Sequence, residues 1–177
     1  VKEHRFVAVF RGDGLALEVS DSDPLMTGVA PKPISALNPE ASKLASVANK
    51  FIAQAKTVLA KHYPANMVLL RGFSQSPHLP SMSEIYKLKP AAIASYPMYR
   101  GLAKLVGMEV LPTGSTIEEE FQTLVKNYAD YDFFFVHIKP ADNAGEDGNF
   151  NRRVEIFEQV DRNIPELMKL NPDVIVV

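Results

Sequence analysis

The chain contains no cysteine and no tryptophan. Disulfides, thiolate metal sites and cysteine nucleophiles are therefore excluded, which fits a reducing compartment. It also lacks a strong excess of one charge. Nineteen basic and 21 acidic residues leave a net charge of −2, and Arg152-Arg153 is the longest basic cluster. A nucleic-acid binder needs a basic surplus to displace phosphate counterions, so no nucleic-acid partner is expected. No apolar run approaches the roughly 20 residues that cross a bilayer, so no membrane partner is expected either. Val1-Lys2-Glu3-His4-Arg5 lacks the pattern of a signal peptide. A cytoplasmic location is the expectation. No internal repeat and no GxGxxG or GxxxxGK[ST] pattern is present, which removes the common nucleotide-cradling fingerprints. What remains is 177 residues that are 46% hydrophobic and 23% charged. That composition supports one ordinary domain or two small lobes, with a core built without staples.

Both ends fall in apolar stretches, Arg5 to Phe10 and Asp173 to Val177. Natural termini usually trail into polar residues, so a piece of a longer protein is expected. Arg5 to Phe10 reads as a strand. Residues 11–37 hold three prolines and three glycines, and a loop of that length is often functional. Asn38, Pro39 and Glu40 announce a helix. Ala41, Leu44, Ala45, Ala48, Phe51, Ile52, Ala55, Val58 and Leu59 then form one core-facing stripe. Strands follow at Asn66 to Leu70, Ala91 to Ser95, Glu109 to Leu111, Asp132 to Ile138 and Val174 to Val177. Helices run from Pro97 to about Val106, with Gly107 stopping the helix, and from Thr116 to about Tyr128, with Glu119 completing a capping box. A last helix carries Val154, Phe157, Val160, Ile164 and Leu167 on one side. Asp132 to Ile138 is apolar without alternation, the pattern of a strand buried inside a parallel sheet. The class is α/β with a mainly parallel sheet and flanking helices. Pro77 to Pro90 is a hinge candidate, dividing a lobe at 1–80 from another at 81–177.

Ligands of open α/β sheets bind beyond the carboxyl ends of strands. Arg11-Gly12 and Arg71-Gly72 each follow an expected strand, where a guanidinium fork can approach a phosphate or carboxylate. An ordinary surface arginine before a turn glycine fits equally. His137 either helps a site or is a satisfied structural histidine. Lys139 either meets an anion or is solvated. Residues 139–149 read as a polar loop. Within it Asp142, Glu146 and Asp147, with Gly145 and Gly148, are oxygen ligands for a hard divalent ion or the residues of a tight turn. Without a cation, Asp142 and Glu146 repel and hold protons more tightly.

A longer set of residues resembles the archaeal-type cofactor-independent phosphoglycerate mutases of the alkaline phosphatase superfamily. It comprises Glu3-His4-Arg5-Phe6-Val7, Arg11-Gly12, Ser22-Asp23-Pro24, Ala65-Asn66, Leu70-Arg71-Gly72, Lys89 to Ala94, Arg100-Gly101 and Gly107-Met108. The fullest match is Tyr131-Asp132 through Val136-His137-Ile138-Lys139 to Asp142, Ala144-Gly145 and Asp147-Gly148. The resemblance implies an inserted α/β substrate-binding lobe plus part of an alkaline-phosphatase-like core. It implies interconversion of 3- and 2-phosphoglycerate through a phosphoserine and two divalent metals, Mn²⁺ or Mg²⁺. The nucleophilic serine is then expected upstream and a Thr-Gly-Asp-His metal motif downstream. The chain alone is expected to be inactive and to hold no metal or hold it weakly. His4, Arg5, Arg11, Arg71, Arg100 and Lys139 become substrate-binding candidates for a small phosphorylated acid. Asp142 and Glu146 become metal-ligand candidates. Glu146 departs from the family, whose pattern there resembles Asp-Glu-Ala-Gly-His-Asp-Gly. The departure leaves a divergent phosphatase, or a relative that binds phosphorylated acids without turnover, as alternatives. Oligomeric state is not readable.

Overall fold

The computed structural model describes residues 5–176, which divide into two compact units, one ending at Ser76 and the other beginning at Pro77. The first unit is built on one helix, α1 (Ser42–Leu59), entered through a short 3₁₀ turn at Pro39–Ala41. The Asn38 side chain accepts the Ala41 N–H, satisfying a donor that the helix start leaves open. The buried face is Leu44, Ala45, Ala48 and Ile52, narrower than the expected stripe: Val58, next to the last residue, is exposed. Around it pack Val19, Ile34 and Leu70, with Phe6, Phe10 and Phe51 alongside. Asn49 exchanges two hydrogen bonds with the Ile34 main chain, at 3.0 and 2.7 Å.

The expected strands at Arg5 to Phe10 and Asn66 to Leu70 do not form ladders. Both segments alternate inward and outward, and Val19 bridging Ala36 is the pairing seen within 11–37. The reason is plain at Leu70. Its N–H and carbonyl are both taken by Ser22 rather than by a neighbouring strand. The premise that Arg11 and Arg71 follow strands therefore falls.

The second unit is α/β. A short helix α2 (Met82–Tyr86) precedes β1 (Pro90–Ala94), then come α3 (Pro97–Leu105), β2 (Glu109–Val110), α4 (Ile117–Asn127), β3 (Phe133–His137), α5 (Lys139–Glu146) and α6 (Phe150–Lys169). The sheet is parallel with order β2-β1-β3. All five residues of β1 are buried, whereas β3 is half-buried at the edge of the sheet among the described residues. This corrects the expectation that the Phe-rich run lies inside. Three of the five residues of β1 are alanine, and its register sets Ala91 beside Phe134 and Ala92 beside Phe135. One sheet face, with Ala91, Ile93, Phe134 and Val136, packs on Leu124 of α4 and Leu167 of α6. On the other, His137 stacks under Tyr99 of α3. Helices on both faces make an edge strand apolar throughout, without alternation. Of the expected final strand, Val174, Ile175 and Val176 are exposed and unpaired with the sheet, and Val177 lies outside the described residues. On α6 the buried residue is Ile156, with Val160, Ile164 and Leu167 packed beside it; Val154 and Phe157 face solvent.

Candidate functional site

The carboxyl ends of β1 and β3 lie side by side, with Ala94 paired to His137. Residues 139–149, read from sequence as a loop, instead start a helix. Pro140 falls in its first turn, where a missing N–H costs nothing, and Asp142 suits the positive helix start. The helix matters because i,i+3 and i,i+4 positions share a face. Lys139, Asp142 and Glu146 therefore meet. The Lys139 Nζ lies 2.5 Å from Asp142 Oδ2 and 3.9 Å from Glu146 Oε2. Its side chain is 14% exposed. The Tyr96 ring lies below the ammonium, 5.2 Å from Nζ to centroid. A cation at a helix start is ordinarily disfavoured. Here the hydrogen bond with Asp142 outweighs that and raises the Lys139 pKa, with burial opposing. The two carboxylates are thus not a bare repelling pair, because the chain supplies the cation between them. Gly145 does not hold a turn; it is helical, and the left-handed turn residue is Gly148, φ +65°.

His137 ends β3 with its ring stacked on Tyr99, centroids 3.5 Å apart. Burial lowers its pKa, Asp142 opposes that shift and Lys139 adds to it. Its Nδ1 is buried without a hydrogen-bond partner. Arg100 projects from α3 and is exposed. Arg5, Arg11 and Arg71 belong to the first unit and are exposed there; Arg71 pairs with Asp23 at 3.3 Å. His4 lies outside the described residues. So Lys139, Asp142 and Glu146 form one cluster, and the arginine candidates are spread over both units. Among the described residues no three His, Asp or Glu side chains gather closely enough to hold an ion.

One residue escaped the sequence reading. Glu120, on α4, is 1% exposed, and its carboxyl meets the hydroxyl and main chain of Ser95, the first residue beyond β1. Burial raises its pKa, the Ser95 contacts pull the other way, and Oε1 finds no partner. It stands in the run Glu118-Glu119-Glu120, which reads simply as an acidic helix start.

The profile of the Metalloenzyme superfamily matches residues 25–177. The chain belongs to the metalloenzyme superfamily. Within it, this chain is 51% identical over 176 residues to a Thermosipho melanesiensis protein named "Probable 2,3-bisphosphoglycerate-independent phosphoglycerate mutase", covering 99% of the chain and 44% of that protein. A Deinococcus radiodurans protein of the same name is 48% identical over 181 residues, with the same two coverages. Among solved structures, the cofactor-independent phosphoglycerate mutase from Thermoplasma acidophilum aligns with TM-score 0.55 at 27% identity, over 88% of this chain and 43% of that one. A Pyrococcus horikoshii protein aligns with TM-score 0.63 at 28% identity, over 74% of this chain and 39% of that one. This superfamily member thus spans less than half the length of these relatives. The α/β class with a parallel sheet and flanking helices holds for it, and the superfamily is one of metal-dependent enzymes. No helix among its described residues is long and apolar enough to cross a membrane.

Proposed function

We propose that the chain is part of a cofactor-independent phosphoglycerate mutase, a cytoplasmic isomerase of glycolysis and gluconeogenesis that exchanges 3-phosphoglycerate and 2-phosphoglycerate. In this reading residues 1–80 are the substrate-binding insert and 81–177 are part of the catalytic core. The observation that carries it is the Lys139-Asp142-Glu146 cluster at the carboxyl edge of a parallel sheet, in a chain 51% identical to a protein bearing the mutase name.

Asp142 and Glu146 supply carboxylate oxygens from one helix face, a donor set that fits part of the shell of a hard divalent ion, Mn²⁺ or Mg²⁺. Two carboxylates do not complete such a shell, so the other ligands come from elsewhere in the longer protein. When bound, the ion neutralises charge on the transferring phosphoryl group. Lys139 would hold a phosphoryl or carboxylate oxygen, with the Tyr96 ring keeping its ammonium in place. His137, whose pKa burial lowers, is suited to accept or donate one hydrogen bond beside it. Arg5, Arg11, Arg71 and Arg100, with His4, bind the remaining oxygens, since phosphoryl transfer depends on positioning and charge neutralisation.

The test is turnover of 3-phosphoglycerate by the full-length parent with added Mn²⁺. Asp142→Asn is expected to reduce it by about 100-fold or more, the scale of a lost electrostatic group, while the fold remains intact by circular dichroism. Glu146→His, which restores the imidazole of the related pattern, keeps or raises activity with Mn²⁺. Normal turnover by Asp142→Asn overturns the reading. Release of inorganic phosphate without isomerisation replaces the mutase with a phosphatase.

A further inference from the structure

Three consecutive residues of the first unit grip the three residues centred on Arg71. Ser22 is 1% exposed. Its N–H donates to the Leu70 carbonyl at 2.9 Å, and its hydroxyl donates to the same carbonyl at 3.1 Å while accepting the Leu70 N–H at 2.7 Å. Asp21 Oδ1 accepts the Gly72 N–H at 3.1 Å. Asp23 Oδ1 accepts the Leu25 N–H at 2.8 Å, which orients its carboxylate, and Oδ2 accepts from Arg71 Nη1 at 3.3 Å. The main chain is thus held on both sides of Arg71, and the guanidinium is held by a carboxylate that is itself anchored.

An exposed ion pair adds little to stability, so fold maintenance does not account for the pairing of Asp23 with Arg71. Arg71 is 58% exposed on its side chain against 19% for Asp23. A planar fork fixed at its base is suited to bidentate capture of an oxyanion. The tethered Asp23 carboxylate decides which oxyanion. A free carboxylate carries the same single charge as Asp23 and gains nothing by displacing it. A phosphate monoester carries close to two charges at neutral pH and does gain.

We propose that Asp21-Ser22-Asp23 is a positioning clamp for Arg71, with Asp23 as a displaceable counter-ion that reserves the guanidinium for phosphoryl groups over carboxylates. The identity of the physiological phosphate ester rests on the mutase reading above; the clamp and its selectivity do not.

The experiment uses the 177-residue chain, with the Arg71 Nε–H signal followed by NMR at constant ionic strength. Inorganic phosphate is expected to shift that signal and acetate to leave it in place. Asp23→Asn keeps the Oδ1 acceptor for Leu25 and removes the competing charge. It is expected to bind phosphate about five-fold more tightly, the upper end for an exposed ion pair, and to begin responding to acetate. Should Asp23→Asn lose its dispersed spectrum, Asp23→Ser, with a shorter acceptor, makes the same comparison. Arg71→Lys keeps the charge, removes the fork and is expected to weaken phosphate binding, read from the neighbouring Gly72 amide. Equal response of wild-type Arg71 to both anions, response to neither, or unchanged phosphate affinity in the aspartate variant overturns the proposal. None of these readouts requires turnover, so an inactive full-length parent would remove the mutase reading and leave the clamp standing.

Discussion

At the scale of single residues, the most consequential groups are two ionisable side chains whose surroundings push their pKa values upward for different reasons. Burial keeps Glu120 protonated to higher pH than usual, against the pull of Ser95. The folded state therefore binds that proton more tightly than the unfolded chain does. Its contribution to stability is fully present below the unfolded-chain pKa and is lost as pH rises through the folded value. Glu120→Gln keeps the shape without the charge, so it should stabilise the protein near pH 8 and have little effect near pH 4. Each unit between the two pKa values corresponds to about 1.4 kcal/mol. Urea unfolding at the two pH values checks this, and an unchanged difference between them contradicts it. Lys139 is raised chiefly by its hydrogen bond with Asp142. Its contribution is present below the ordinary lysine pKa and is lost in the alkaline range as pH climbs through the folded value. Asp142→Asn should lower the Lys139 pKa towards that of an ordinary lysine, read directly from its ¹⁵Nζ signal.

At the scale of elements, α4 depends on its start. The Thr116 hydroxyl accepts the Glu119 N–H at 3.2 Å, and the Glu119 carboxylate accepts the N–H groups of Ser115 and Thr116, both at 2.9 Å. The bonds to its carboxylate, including one donated by the Thr116 hydroxyl at 2.8 Å, lower the Glu119 pKa. Thr116→Ala should cost about 1 kcal/mol and lower the melting temperature by a few degrees. Because α4 also carries Glu120, the same substitution should perturb Ser95 amide exchange. Gly107, which ends α3, tolerates even less. Its φ is +75°, and a Cβ there would stand 2.6 Å from the Ser81 Cβ. Gly107→Ala should therefore cost more than the roughly 1 kcal/mol of a left-handed non-glycine alone, measured by chemical denaturation.

At the scale of the whole molecule, each unit has its own buried core. Val19, Ile34, Leu44 and Leu70 belong to the first, whereas Ala91, Ile93, Leu111 and Leu124 belong to the second. Ile93 is fully buried in the central strand. Ile93→Ala should cost about 2–5 kcal/mol. The loss of hydrogen-exchange protection should concentrate in residues 77–176, while amides of α1 stay protected. Equal loss in α1 would show that the two cores unfold as one.

Local chemistry determined a large part of this protein before any fold was known. Asn38 with Pro39, Thr116 with Glu119, and Gly107 act on neighbours a few residues away, and each starts or stops a helix as the sequence indicates. Lys139, Asp142 and Glu146 are likewise legible as ionisable residues following a strand, although their meeting is not. Tertiary structure decided the rest. Whether 6–10 and 66–70 become strands depends on distant partners, and at Leu70 the partner is a serine 48 residues away. An apolar run such as Phe133–His137 reports that two faces are covered but not whether two edges are paired, so the edge strand looked central and the alanine-rich β1 did not. Acid and glycine content made 139–149 look like a loop, while packing of Ala144 against Ile117, Phe121 and Ile156 favours a helix. That helix turns three polar residues into one cluster. Glu120 was illegible because burial is a property of the neighbours that close over a side chain, and those neighbours are assembled only when the chain folds.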